Sequence, residues 1–184
     1  MTPIRSLLLA PLAALAFGDA RPVDVDKAHS SITFVAPSRM LDARGSFERW
    51  DADVALDPAD FAKSRVRLTI DAASINTGID RRDNHLRGED FFDVAKYPTI
   101  TFVSHAVVPQ SANAGVISGD LSMHGVSRQL QVPVSVVRYA DGRGEFKGAF
   151  KIARRDYGLS FDSRMNPIAD TIRVQFTMSV AERK

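Results

Sequence analysis

"AGVISGDLSMHGVSRQLQVPVSVVRYADGRGEFKGAFKIARRDYG" (residues 114–158) decides the fold. His124-Gly125 and Asp141-Gly142 cut it into three runs, roughly 115–123, 126–138 and 144–154. A polar residue followed by glycine between alternating runs marks a two-residue hairpin, because both central positions of the favoured turn need positive φ. The stretch reads as three antiparallel strands joined edge to edge.

The same alternation extends in both directions. "SSITFVA" (30–36) sets Ile32 and Phe34 on one face. "GSFERWDADVALD" (45–57) sets Trp50, Ala52, Val54 and Leu56 against Arg49, Asp51 and Asp53, and "SRVRLTIDAA" (64–73) sets Val66, Leu68, Ile70 and Ala72 against Arg65, Arg67, Thr69 and Asp71. The "DPADFAK" between them is a turn or a single helical turn. "PTITFVSHAVV" (98–108) sets Ile100, Phe102, Ser104 and Ala106 against Thr99, Thr101, Val103 and His105, and "DTIRVQFTMSV" (170–180) carries Ile172, Val174, Phe176, Met178 and Val180 on one face.

These are eight strands, each half apolar and half polar, as in an antiparallel sheet with one wet face. Eight such strands close into a barrel or stack as a sandwich. Long runs joined by short hairpins suit the up-and-down barrel, whose interior holds side chains or one small ligand. The only helix predicted lies near 78–87, with Asn76 or Thr77 as its cap, Asp80 in the first turn and Gly88 at its end. Its apolar stripe is only Ile79 and Leu86, so it belongs at a barrel edge or mouth rather than in a core.

The chain has 184 residues, enough for one domain with a full core. Arg5 followed by an apolar run from Leu7 to Phe17, too short to span a bilayer, predicts a secretory signal peptide over 1–20 and a domain over 21–184. Small residues offer cleavage after Gly18 or after Ala20. The expectation is an exported protein, periplasmic by preference. With no cysteine, disulfides and thiolate metal sites are excluded, and there is no residue for an N-terminal lipid anchor of the bacterial lipoprotein kind. The net charge of +2 is nearly balanced, and no basic stripe interleaves with aromatics, so nucleic acid is not an expected partner.

"RDNHLRGEDFFDVAKYPTITF" (82–102) is the densest charged stretch. His85 beside Asp83 or Glu89 is the one arrangement that resembles an oriented base, but residues two apart on a helix do not face one another, and no nucleophile sits on a tight glycine turn. Arg82, Arg87, Glu89 and Asp90 read instead as a salt-bridged knot that pins the helix to a strand. His29, His85, His105 and His124 show no metal-ligand spacing, so neither a metal nor a catalytic set is expected. Of the adjacent Phe91 and Phe92, one can seal the helix onto the barrel while the other reaches the interior.

Several stretches together resemble the YceI-like family of exported proteins: "VDKAHSSITFVA", "GSFERWDADVALDP", "VRLTIDAASINTGIDRRDNHLRGEDFFDVAKYPTITFVSHAV", "GDLSMHGVSRQLQVPVSV" and "FKIARRDYGL". The most specific marks are Ser74-Ile75, Arg82-Asp83, His85-Leu86, Asp90-Phe91-Phe92-Asp93 and Tyr97-Pro98, followed by Leu121, His124-Gly125-Val126 and the run from Ile152 to Gly158. Tyr157 stands where many members carry Phe. The resemblance covers about residues 22–180 and implies an all-β, eight-stranded antiparallel, lipocalin-like β-barrel with a short helix near one end. It also implies an apolar cavity for a polyisoprenoid chain, such as an isoprenoid quinone or a polyprenyl phosphate, with no chemistry and no cofactor beyond that lipid.

The expected ligand-binding residues are Phe34, Trp50, Val54, Ile70, Phe102, Leu121, Phe150, Ile152, Phe176 and Met178 on the wall, with Phe91 and Phe92 at the lid. Arg154, beside Asp156, and Arg82 are candidates for a phosphate headgroup, and Arg154 paired with Asp156 or with the helix is the structural alternative. Two other functions remain open: a filled barrel with a structural or stress-response role, and a lipid-modifying enzyme using His85. The further partners to look for are a membrane, touched transiently, and a second copy in a homodimer, for which an exposed apolar patch would be the mark.

Overall fold

The computed structural model describes residues 20–183, so the predicted signal peptide lies, apart from Ala20, outside the described residues. Eleven strands and one helix follow in order: β1 (Arg21–Val25), β2 (Ser31–Ala36), β3 (Ala43–Phe47), β4 (Trp50–Leu56), β5 (Arg65–Asp71), β6 (Ile75–Asn76), α1 (Asp80–Arg87), β7 (Thr99–Ser111), β8 (Ala114–Met123), β9 (Val126–Ala140), β10 (Arg143–Ala153) and β11 (Thr171–Glu182). Every pairing is antiparallel, and β11 closes on β1 through Val23↔Glu182 and Val25↔Val180. The circuit β1-β4-β5-β7-β8-β9-β10-β11 has eight members. It is the closed up-and-down barrel that the alternation predicts.

Three of its staves are broken, and local chemistry shows why. β1 and β2 pair with successive parts of β11. Between them Asp26 accepts the Ala28 N–H at 3.0 Å and winds residues 27–29 into a 3₁₀ turn. Ser30 then rejoins β11 by accepting the Ser179 N–H at 2.9 Å. Asp71 does the same between β5 and β6, accepting the Ala73 N–H at 2.9 Å.

The run 45–57, expected as one strand, bends at Glu48-Arg49 into β3 and β4. The bend shifts the side-chain period by one. Gly45 and Phe47 face inward from β3, opposite Phe34 and Ile75, whereas Ala52, Val54 and Leu56 face inward from β4.

A second shift corrects the reading of β7. Its pairing with β8 slips between Ser104 and Ala106, so the inward set passes from Ile100 and Phe102 to Val107 and Pro109. Ala106 is exposed, and His105 faces water with Asp120 at 2.8 Å. Such bulges leave one residue unpaired and re-aim all that follow. The two hairpin turns are as predicted, with positive φ at His124, Gly125, Asp141 and Gly142 (51°, 75°, 52° and 70°).

β6 pairs only with β3, and α1 follows it. The last backbone link between the β5–β6 stave and the approach to β7 is the Ala72 N–H on the Pro98 carbonyl at 2.9 Å. At this end of the barrel the ladder circuit is therefore open between β6 and β7. α1 and residues 88–98 stand at the opening. Contrary to expectation, neither Asn76 nor Thr77 caps the helix; Ile79 occupies the cap position with no side-chain bond. Gly88 ends the helix with its N–H on the His85 carbonyl at 3.1 Å.

Candidate functional site

The inward faces enclose a cavity of about 520 Å³ that runs the length of the barrel. At one end it is bordered by Arg82, His85, Phe91, Phe161 and Asn166, and at the other by Phe61, Ser111, Gly115 and Phe146. Between them the wall is apolar. Phe34, Phe150, Ile152, Phe176 and Met178 point inward yet are only half-buried. An inward side chain that remains accessible means an open lumen, since a filled barrel would bury it at packing density.

Glycines in the wall make this possible. Phe34 lies opposite Gly45, and Phe176 opposite Gly148. A Cβ on Gly148 would fall 2.2 Å from Cε1 and 2.5 Å from Cζ of Phe176, and one on Gly45 would fall 2.8 Å from Cζ of Phe34. Each ring thus lies over a glycine on the neighbouring strand rather than across the lumen. Cross-strand covering of glycine by an aromatic ring is a known way to keep a sheet continuous where no side chain fits.

Twelve of the thirteen expected ligand-binding residues border the cavity: Phe34, Val54, Ile70, Phe91, Phe92, Phe102, Leu121, Phe150, Ile152, Arg154, Phe176 and Met178. Trp50 does not. It sits at the corner where the period shifts, half-buried against the core cluster, with the Lys27 ammonium 5.7 Å from its ring centre. Its parity is the inward one, opposite Ile70 on β5, but it packs against the core cluster instead of bordering the lumen. The same shift hid Phe47, which borders the lumen and meets Phe92 edge to face at 6.0 Å. Phe161 was also missed, because it lies in a loop without periodicity. Only its aromatic character could have flagged it.

Around the lid, the charged stretch is structural, with partners other than those expected. Arg87 donates from Nε to the Ala73 carbonyl and from Nη2 to the Ile75 carbonyl, both at 2.8 Å. Arg82 donates to Thr77 Oγ1 at 2.7 Å and to its carbonyl at 3.0 Å. Buried Asp83 accepts the Thr77 N–H at 3.0 and 3.1 Å as well as its hydroxyl. α1 is therefore pinned to the end of β6 by hydrogen bonds to backbone and hydroxyl, not by the predicted knot of salt bridges. Asp90 does find a side-chain partner, the Nε2 of His85 at 3.0 Å. The His85 ring stands perpendicular to Phe91 and nearly so to Phe161 (5.1 and 4.9 Å between centres).

Arg154 borders the cavity but does not pair with Asp156. The 3₁₀ turn over 154–157 buries Arg154 and Tyr157 and leaves Asp156 exposed. Arg154 donates to Asp162 Oδ1 (3.1 Å), to the Ala169 and Ile168 carbonyls (3.3 Å each) and to the Leu159 carbonyl. Four of its five N–H groups hold the 159–169 loop. Hydrogen bonds from Arg155, and to a smaller degree from Arg154, keep the Asp162 carboxyl below the usual aspartate range. Burial pushes the Tyr157 phenol up. Among the described residues no three His, Cys, Asp or Glu side chains gather as a metal site.

A closed antiparallel barrel with an open apolar lumen and a latched helix at one end defines a small class of proteins built around an internal cavity. This chain belongs to the YceI-like family: the YceI-like domain matches residues 24–180. It is 32% identical over 165 residues to a UPF0312 protein of Shewanella putrefaciens, covering 84% of this chain and 83% of the relative. Its fold is similar to that of BcnA from Burkholderia cenocepacia, with a TM-score of 0.79, 30% identity, and coverage of 85% of this chain and 99% of the other. A polyisoprenoid binding domain from Saccharophagus degradans shares the fold at 22% identity, with a TM-score of 0.67 and coverage of 89% of this chain and 99% of the other.

Proposed function

We propose that the barrel binds and carries a polyisoprenoid lipid, an isoprenoid quinone or a polyprenyl phosphate, without chemistry and without any cofactor beyond that lipid. The observation that carries this reading is the open apolar lumen. Its 520 Å³ falls within the range of small-molecule sites, about 300–1,000 Å³. A prenyl chain gains roughly 0.8 kcal/mol per methylene on leaving water. The bilayer offers similar burial, so transfer stays near balance, as a shuttle requires. The polyisoprenoid-binding domain of the same fold supports the ligand class. The signal peptide predicted over residues 1–20 supports an exported, periplasmic setting.

With four N–H groups of Arg154 engaged, Arg82 and His85 are the polar side chains of α1 that border the lumen. They suit a headgroup at the mouth. The enzyme alternative asks for His85 near an acid and a free volume, and the Asp90 pair at the rim meets that much. Group transfer also needs a nucleophile or donors for developing charge. Beside His85 the cavity is bordered by Leu86, Phe91 and Phe161, none of them a nucleophile, and by Arg82, whose Nε and Nη2 already donate to Thr77. The ring fits better as part of the lid.

The test is native mass spectrometry of the purified protein, followed by solvent extraction and lipid analysis. A stoichiometric prenyl quinone or polyprenyl phosphate is expected, and its identity decides the headgroup class. Protein that is empty and also refuses added long-chain isoprenoids would refute the carrier.

A further inference from the structure

At the α1 end of the barrel, two loops form a lip that the lumen does not account for. Residues 37–42 and 159–170 are tied together by an antiparallel bridge between Ser38 and Ile168. Arg39 donates its N–H to the Pro167 carbonyl at 3.2 Å, Ala169 to the Pro37 carbonyl at 2.8 Å, and Met40 to Asn166 Oδ1 at 2.9 Å. On this firm crest stand Met40, Leu41 and Met165, which are 75%, 68% and 84% exposed. They are the three most exposed large apolar side chains among the described residues. Scattered apolar side chains on a surface are ordinary, but three of them held on one braced rim form a patch that calls for a partner.

The charges around the patch say which partner. Of the three carboxylates in the two loops, Asp42 pairs with Arg173 at 3.7 Å and Asp162 with Arg154 and Arg155 at 3.1 and 2.7 Å, while Asp170 accepts the Arg155 backbone N–H at 3.0 Å. Arg39 and Arg164, the chain neighbours of Met40 and Met165, are exposed and enter no ion pair among the described residues. Apolar tips flanked by uncompensated arginines match an anionic lipid surface, where the tips enter the headgroup layer and the guanidinium groups meet phosphates. Leu41, Ser163 and Asn166 border the cavity, so a surface seated on this lip faces the mouth.

We propose that the lip formed by residues 37–42 and 159–170 docks the barrel, mouth first, onto an anionic membrane. The purpose of the docking rests on the carrier reading, but its test does not.

The chain has no cysteine, so Met40→Cys, Met165→Cys and, at the far hairpin, Asn113→Cys each accept one environment-sensitive fluorophore at a unique place. Each labelled protein is mixed with phosphatidylcholine vesicles, with and without phosphatidylglycerol. The expected result is a blue shift and brightening at positions 40 and 165 with the anionic vesicles only, none at 113, and reversal by added salt. Arg39→Ser with Arg164→Ser is expected to weaken binding roughly 25-fold, at about fivefold per arginine near an anionic surface.

A silent label at 40 and 165, an equal shift at 113, or an equal response to neutral vesicles overturns the proposal. So does a shift that follows protein concentration without vesicles, which would make a second copy the occupant. Lipid content is extracted from the same samples. A loaded lumen with silent labels refutes docking alone, whereas docking with an empty, refusing lumen refutes the carrier alone.

Discussion

Replacing Gly148 with alanine tests the reason the lumen is open. The added Cβ would stand 2.2 and 2.5 Å from two carbons of the Phe176 ring and 2.8 Å from the Pro133 carbonyl oxygen. Real Cβ atoms do not approach so closely, so the ring must leave its seat, and the free direction is the lumen. Overpacking of this kind costs about 1–3 kcal/mol. For a domain of this size that lowers the melting temperature by roughly 2–12 °C, at about 2–4 °C per kcal/mol. Thermal unfolding followed by circular dichroism measures the loss, and uptake of a long-chain isoprenoid measures the narrowing. The decisive step is the double-mutant cycle with Phe176→Leu. If the ring is the source of the strain, Gly148→Ala costs about 1 kcal/mol less in that background, the remainder being the Pro133 contact. An equal cost in both backgrounds refutes the argument that the ring occupies the place of a side chain at Gly148.

Leu130→Trp, a half-buried inward position on β9, separates an open lumen from a filled one. Thermal stability is expected to stay within about 1 kcal/mol while extractable lipid falls; an overpacking loss of about 1–3 kcal/mol would mean that the space was already occupied. Asp83→Ala leaves the Thr77 N–H without its acceptor and should lower stability by about 1–3 kcal/mol in chemical denaturation. Tyr157→Phe reads the pH dependence. Burial raises the phenol's folded pKa, so its contribution is whole below the unfolded value of about 10 and is lost as pH rises through the raised one. The phenylalanine variant should melt like the parent at neutral pH and lose less stability in alkali.

The eight antiparallel staves of the barrel were legible in the sequence because each inward face repeats every second residue and two of the tight hairpins carry a His-Gly or Asp-Gly pair. What escaped were the places where the period changes phase. The bend at Glu48-Arg49 and the slip after Ser104 leave no compositional mark, so Phe47 and Val107 are not legible as wall residues, whereas Trp50 has the inward parity and yet does not border the cavity. β1 was missed because Asp26 to Ser30 interrupt the alternation with a turn. In the candidate site, the wall followed from parity, whereas the polar partners did not. Adjacency in sequence suggested Asp156 for Arg154, but a single 3₁₀ turn sends the two side chains apart and brings Asp162 in from a loop. The charged residues of α1 advertised salt bridges, yet the 3₁₀ turn after β5 and the start of β6 offered carbonyl groups that arginine can reach equally well.

The open circuit between β6 and β7 has a mechanical consequence. In a sealed barrel the girth is quantised: strand number and register stagger fix it, and any change must break a whole ladder. Here that rule governs the end where β1 closes on β11. Beside β6 the circumference is completed by side chains, namely one buried aspartate, two arginines and a few rings packed edge to face. The vessel thus has a bore set by backbone geometry at one end and a collar set by amino-acid choice at the other. Substitutions in the collar can retune the width of the entrance for ligands of different cross-section while the bore keeps its gauge.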